Sequence, residues 1–311
     1  MPFELTPELL LVYLGVFGLF VGSFLNVCIH RLPKEGQSVW SPRRSHCPKC
    51  NHAIRWYENL PVVSWLFLRA RCGGCKARIS VRYPLVELLT GALWVVVGMA
   101  TPEGAYGLLF FRILIVSALL VATFVDFDCF EIPDEVSIGG MWLAPVASFL
   151  VPSLHEGSKV ALYFAEGGEV DRLAALTTSL FGLAVGGGIL IAIGKLGKLV
   201  FGRDAMGFGD VKLLSAGGGF VGPGGALVAL MIGSLLASVA GVVNVLRFYL
   251  IVRGRDKDRK RTGRGPGRAL AVARIAGRYL PFGPYLALGI GIVLLYWNEV
   301  RDLVLSSYGL Q

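Results

Sequence analysis

Charge of either sign is scarce in this sequence: only 16% of its 311 residues are Asp, Glu, Lys or Arg, and 54% are hydrophobic. Ordinary soluble domains carry about 25% charged residues. The deficit argues against a water-soluble fold, and apolar runs recurring nearly end to end make the bilayer the main solvent. Cysteine is sparse as well. Six in the whole chain cannot support a small disulfide scaffold. The first apolar run, 9–29, has no basic stretch before it and no small-residue cleavage site after it, so it reads as a retained helix and not as a signal peptide. No tandem repeat of fixed period is visible, no glycine-rich nucleotide or methyl-donor fingerprint sits in a strand-to-helix context, and no Ser nucleophile has a His in reach.

What is present begins with apolar runs of helix length. After 9–29 they fall at 84–100, 108–125, 136–151, 173–193, 211–221, 226–252 and 279–297. The expected fold is therefore an all-α polytopic membrane protein of about eight transmembrane helices, with 211–221 too short to span unless broken or tilted. Charge supplies the topology. Segment 31–82 holds eleven Lys or Arg against Glu35 and Glu58, and 253–278 holds ten against Asp256 and Asp258. Basic loops face the cytoplasm, and six crossings between the two segments put both on that side, with the acidic loop 152–172 opposite. The parity needs 211–221 to cross. The Gly- and Arg-rich stretch 253–268 reads as a solvated loop drawn to anionic lipid headgroups, with nucleic-acid binding as the alternative.

Within the first basic segment stand Cys47-Pro48-Lys49-Cys50 and Cys72-Gly73-Gly74-Cys75, 21 residues apart. That is the spacing of a four-cysteine zinc knuckle, and Gly73-Gly74 is expected to give the second turn its backbone freedom. Two redox pairs or two disulfides are the alternatives, and the cytoplasmic side argues against stable disulfides. Four thiolates close the site, so the metal is expected to hold the loop folded and not to react. His46 and His52 flank the first pair; either offers a substitute ligand, but four sulfurs suffice, and both read as surface or supporting residues. Cys28 and Cys129 read as apolar fillers.

Two acidic regions lie where long apolar runs end, and ionisable groups there are costly enough to suggest a task. Run 108–125 continues directly into Asp126, followed by Asp128, Glu131, Ile132, Pro133 and Asp134. Asp134 is placed to cap the next helix. The second region is Met206-Gly207-Phe208-Gly209-Asp210, whose glycines allow close approach of another segment. The topology puts Asp126 and Asp210 on one membrane edge, on different helices. Paired carboxylates sharing a proton can serve an aspartic peptidase, and equally a proton relay or transporter.

Taken together, the segments resemble the type IV prepilin peptidases, a family of intramembrane Gly-x-Gly-Asp aspartic peptidases. The resemblance rests on Gly22-Ser23-Phe24-Leu25-Asn26-Val27 with His30-Arg31-Leu32-Pro33, the two cysteine pairs, Glu58-Asn59-Leu60-Pro61 with Ser64-Trp65, and Arg82-Tyr83-Pro84-Leu85-Val86-Glu87. The Asp126 segment, the Gly-Phe-Gly-Asp element and Pro281-Phe282-Gly283-Pro284 complete it. It implies a catalytic pair at Asp126 and Asp210 and structural zinc on Cys47, Cys50, Cys72 and Cys75. It also implies cleavage of prepilin and pseudopilin leaders after a Gly at the cytoplasmic face of a bacterial inner membrane. Methylation of the new amino terminus from S-adenosylmethionine would follow, with the donor pocket unassigned and Glu87 the position to examine. Membrane lipids are the other expected partner, and nucleic acid is not. The corresponding division is a first helix, 1–30, a cytoplasmic zinc-binding domain, 31–83, and a peptidase core, 84–311. A presenilin-like peptidase of other substrates and a cation-coupled transporter are the competing readings. Ala205 stands where similar proteins often have Gly, and loops 152–172 and 253–278 are longer than in compact relatives.

Overall fold

The computed structural model describes residues 6–34, 36, 38–40, 45–47, 49–165, 169–202, 207–258 and 280–307. Residue 206 and the basic segment from 259 onward therefore lie outside the described residues. The architecture is helical throughout: α1 (Pro7–Arg31), α2 (Val63–Phe67), α3 (Arg82–Met99), α4 (Tyr106–Cys129), α5 (Asp134–Leu150), α6 (Lys159–Phe164), α7 (Arg172–Phe201), α8 (Phe208–Asp258) and α9 (Gly283–Ser307). Among the described residues, five helical stretches are long and apolar enough to cross a membrane: Pro7–Arg31, Arg82–Met99, Tyr106–Cys129, Arg172–Val200 and Phe208–Ile251. Helix α5, with 17 residues and Pro145 inside it, is shorter.

Small residues bring the helices together, as close packing in lipid requires. A Cβ on Gly18 of α1 would lie 2.8 Å from the Gly91 Cα of α3, and one on Gly22 would lie 2.7 Å from the Glu87 Cα. Trp94 of α3 then donates from Nε1 to the Ser117 hydroxyl of α4 at 3.0 Å. Cys28 is buried between these helices beside Val86 and Val125, whereas Cys129 is exposed at the end of α4 and fills no core.

The runs 211–221 and 226–252 form one element that breaks at Gly222, where φ 75 and ψ 172 leave the helical region. Only glycine adopts that conformation readily. The break is a reversal. Gly217 lies against Ile290 of α9, Gly224 against Trp297, and Gly233 back against Leu286, so the contacts climb α9 and then descend it. The two halves of α8 are antiparallel, and the first ends where Gly222 meets Thr178, His155 and Ser158.

His155 beneath this reversal is 2% exposed. The Ser148 hydroxyl donates to the Ala144 carbonyl at 2.7 Å, so in the 2.9 Å Ser148–His155 contact the imidazole Nε2 is the donor. Its Nδ1 has no partner among the described residues. Burial lowers the His155 pKa to about 4, while the unfolded chain takes up that proton near pH 6.5. The stability contributed by the neutral ring is thus complete above about pH 6.5 and is lost as pH falls toward 4. Melting in detergent is expected to show a loss on the order of 3 kcal/mol across that window, and His155→Gln to flatten it; equal pH dependence in both proteins would refute the assignment.

Candidate active site and thiol cluster

Helix α4 carries its apolar face to Val125 and ends three residues beyond Asp126. Phe130 takes the left-handed conformation, φ 57, and its N–H bonds the Asp126 carbonyl at 3.0 Å. Asp126 is 5% exposed, and its Oδ2 has no hydrogen-bond partner among the described residues. A buried carboxylate oxygen left without a partner is costly unless it meets substrate or water. The backbone N–H of Gly283, at the start of α9, faces this carboxyl group.

Asp210 lies in the first turn of α8. The two carboxyl groups are near enough for the charge of Asp126 to act on Asp210, so the structure brings the sequence-derived pair together. Ile132 lies beside the backbone next to each of them, near Gly209 and near Gly283. A Cβ on Gly209 would meet Ile132 at 3.4 Å, and one on Gly283 would meet the Asp126 Oδ2 at 2.5 Å and Ile132 at 3.1 Å. Of the two glycines before Asp210, only Gly209 faces the Ile132-Pro133 turn, and it does so at ordinary contact distance, whereas Gly207 faces the Asp210 carboxyl group itself. Sequence reasoning gave no role to Ile132 or Gly283, because contacts between segments far apart in the chain leave no local pattern.

The neighbouring acids are structural. Asp128 accepts from Arg82 Nη1 at 2.5 Å, and Arg82 Nη2 bonds the Phe124 carbonyl at 3.1 Å, tying α3 to α4. Asp134 does not cap α5: Pro133 holds the cap position, and the Asp134 side chain pairs instead with Lys212 of α8.

Cys47, Cys50, Cys72 and Cys75 form the second cluster, with all four sulfurs within 4.8 Å of one another. Two Sγ···Sγ distances, Cys47–Cys75 and Cys50–Cys72, are 3.9 Å. Tetrahedral zinc with Zn–S near 2.3 Å requires about 3.8 Å between sulfurs, so the donor set fits a metal ion. Both pairs use the same turn. The N–H of Asn51 bonds the Cys47 carbonyl at 2.9 Å, and that of Lys76 bonds the Cys72 carbonyl at 3.1 Å. The left-handed residues are Asn51 (φ 58) and Lys76 (φ 57). Gly73 and Gly74 are therefore not needed for backbone freedom; they make room, Gly74 for the His52 ring 3.2 Å from its Cβ position. His52 turns to Glu58, Nε2 to Oε2 3.1 Å, and is not a fifth ligand. Backbone N–H groups of Lys49 and Cys50 lower the Cys47 thiol to about 6.

Helices of this length, a thiol cluster fit for a metal and two converging acids define a polytopic helical membrane protein with an appended cysteine module. The comparisons with known proteins narrow this class. Residues 16–101 match the bacterial peptidase A24 N-terminal domain, and residues 113–242 match the type IV leader peptidase family. The prepilin leader peptidase/N-methyltransferase of Aeromonas salmonicida (strain A449) is 32% identical over 324 residues, covering 97% of this chain and 96% of that protein. The protein of that description from Myxococcus xanthus is 40% identical over 76% of this chain and 63% of its own length. Its counterpart from Pseudomonas aeruginosa PAO1 is 31% identical, covering 94% and 93%. This chain belongs to the type IV leader peptidase family. No solved structure matches it significantly.

Proposed function

We propose that this protein removes the leaders of type IV prepilins and pseudopilins with the Asp126–Asp210 pair, and then methylates the new amino terminus. The observation that carries the peptidase reading is the approach of two acids from different helices, with one carboxylate oxygen buried and unpartnered among the described residues. Two carboxyl groups brought together hold one proton between them. The ionised member takes a proton from a water held between them as it attacks the scissile carbonyl carbon, and the protonated member donates to the carbonyl oxygen. The Gly283 N–H faces the Asp126 carboxyl group and helps to orient it.

Eight crossings fit this reading, with α8 counted twice because it reverses at Gly222. The parity leaves the acids, the cysteine module and both basic segments at the cytoplasmic face of a bacterial inner membrane, and the basic loop beyond α8 against anionic lipid. Residues 1–30 then form the first helix, 31–83 the cytoplasmic module and 84–311 the peptidase core. Zinc on the four cysteines has no open coordination position, and its contribution is to hold the module folded. S-adenosylmethionine supplies an electrophilic methyl group when bound. The cysteine module and the matched N-terminal segment favour prepilin substrates over the general membrane segments of a presenilin-like enzyme.

The direct test is the purified protein with a prepilin carrying a Gly-Phe junction. Release of the leader at that junction is expected, and cleavage elsewhere or none refutes the proposal. Gly283→Ala is expected to lower the rate at least tenfold, about 1.4 kcal/mol of transition-state stabilisation, because its methyl group would displace the Asp126 carboxylate. A rate equal to wild type in quantitative cleavage assays would remove the Gly283 turn from the site.

A further inference from the structure

Glu87 is a buried acid that the peptidase mechanism leaves unused. It sits on α3 against Gly22 of α1, 8% exposed, with the Ser23 hydroxyl facing it. Its Oε2 accepts the Val62 N–H at 2.8 Å. Val62 belongs to the cysteine module, and its backbone is held at φ 60, a region that β-branched residues avoid and that marks functional strain when found. The module is thus pinned to the membrane helices through this carboxylate.

Beside it lies a cavity of about 420 Å³ between the module and the ends of α1 and α3, within the roughly 300–1,000 Å³ of small-molecule sites. Neither Asp126 nor Asp210 lines it. Glu87 and Glu58 do, with Trp65 and Tyr83 as aromatic walls and Arg31 and Arg78 as cations. Such a lining suits a ligand that combines a buried positive centre, an aromatic heterocycle and a carboxylate. A carboxylate and aromatic faces both stabilise a desolvated cation.

We propose that this cavity binds the adenosyl sulfonium methyl donor, with Glu87 as counter-charge to the sulfonium and the basic side chains toward the donor's carboxylate. The proposal rests on the methyltransferase half of the function above. It sets the donor on the same membrane edge as the acids, because Arg82 at the start of α3 is bonded to Asp128 at the end of α4. Transfer forms an N–C bond to a neutral amine and breaks the S–C bond. The bonding pair stays on sulfur, and the positive charge passes to nitrogen, which then loses a proton to solvent. The product thioether is neutral, so Glu87 must distinguish donor from product.

The experiment is calorimetric titration of the purified full-length protein with S-adenosylmethionine and, separately, S-adenosylhomocysteine. Glu87→Gln keeps the acceptor for the Val62 N–H and is expected to weaken the sulfonium ligand at least tenfold and the neutral one less than threefold. Trp65→Ala is expected to weaken both. Metal content and elution volume check folding, and if Glu87→Gln fails them, Trp65→Ala decides. Wild-type binding that both variants retain would place the donor elsewhere and overturn the proposal while leaving the methyltransferase reading intact. A wild type that neither binds the donor nor methylates would remove that reading, and this proposal with it. Loss in the variants of a basic leader peptide's affinity, and not the donor's, would assign the cavity to the leader and equally overturn the proposal.

Discussion

Asp126→Ala and Asp210→Ala will each leave a prepilin with a Gly-Phe junction uncut, with rates reduced about 10³-fold or more. General acid–base groups contribute roughly 10²–10⁴-fold each, and a pair sharing one proton fails as a unit when either member is lost. The measurement is co-expression of variant and substrate, with the mature and precursor forms separated by mass. Inserted, abundant variant protein that no longer processes is the expected result. Asp126→Asn and Asp210→Asn carry the same expectation with the shape retained, which separates lost proton chemistry from local repacking. Processing that persists in either alanine variant would strike that residue from the mechanism. Asp128→Ala serves as a contrast, because its carboxylate is taken by Arg82; its effect is expected on the α3–α4 joint and not on the hydrolytic step.

Cys47→Ser and Cys72→Ser are expected to have the largest structural effect. Each removes one of four sulfurs that lie within 4.8 Å of one another. Binding of structural zinc is worth about 10–16 kcal/mol in small peptides, far above what a module with few buried side chains retains without it. Metal analysis of the wild type should give about one zinc per chain, falling below a tenth in either variant. Limited proteolysis should then open residues 31–83 while leaving the membrane helices protected. A wild type without metal would end the zinc assignment, and variants with full metal content would move the ligand set.

Much of this architecture is legible in the sequence because lipid imposes a simple code: apolar runs of sufficient length become helices, and basic loops stay on one side. The run at 108–125 became α4, and the run at 173–193 became the larger part of α7. The short run 211–221 was the hard case. Gly222-Pro223 announces a break, but whether the chain continues or turns back depends on α9, and that contact is invisible in the local pattern. The cysteine spacing specified the cluster, yet it misassigned the turn: left-handed backbone falls on Asn51 and Lys76, and the glycines answer to the bulk of His52 and Glu58 instead. The acids stood out as candidates because a carboxylate continuous with an apolar helix is expensive. The Gly283 and Ile132 contacts did not, since neither residue type signals which distant segment it will meet.

The first half of α8 is a strut. One end bears Asp210, the other seats on His155, Ser158 and Thr178, and nearly all its middle is buried by neighbouring helices. It is roughly 21 Å long at the helical rise per residue. Asp210 and the polar seat at Gly222 are therefore the two ends of one stiff member, fixed at a set separation.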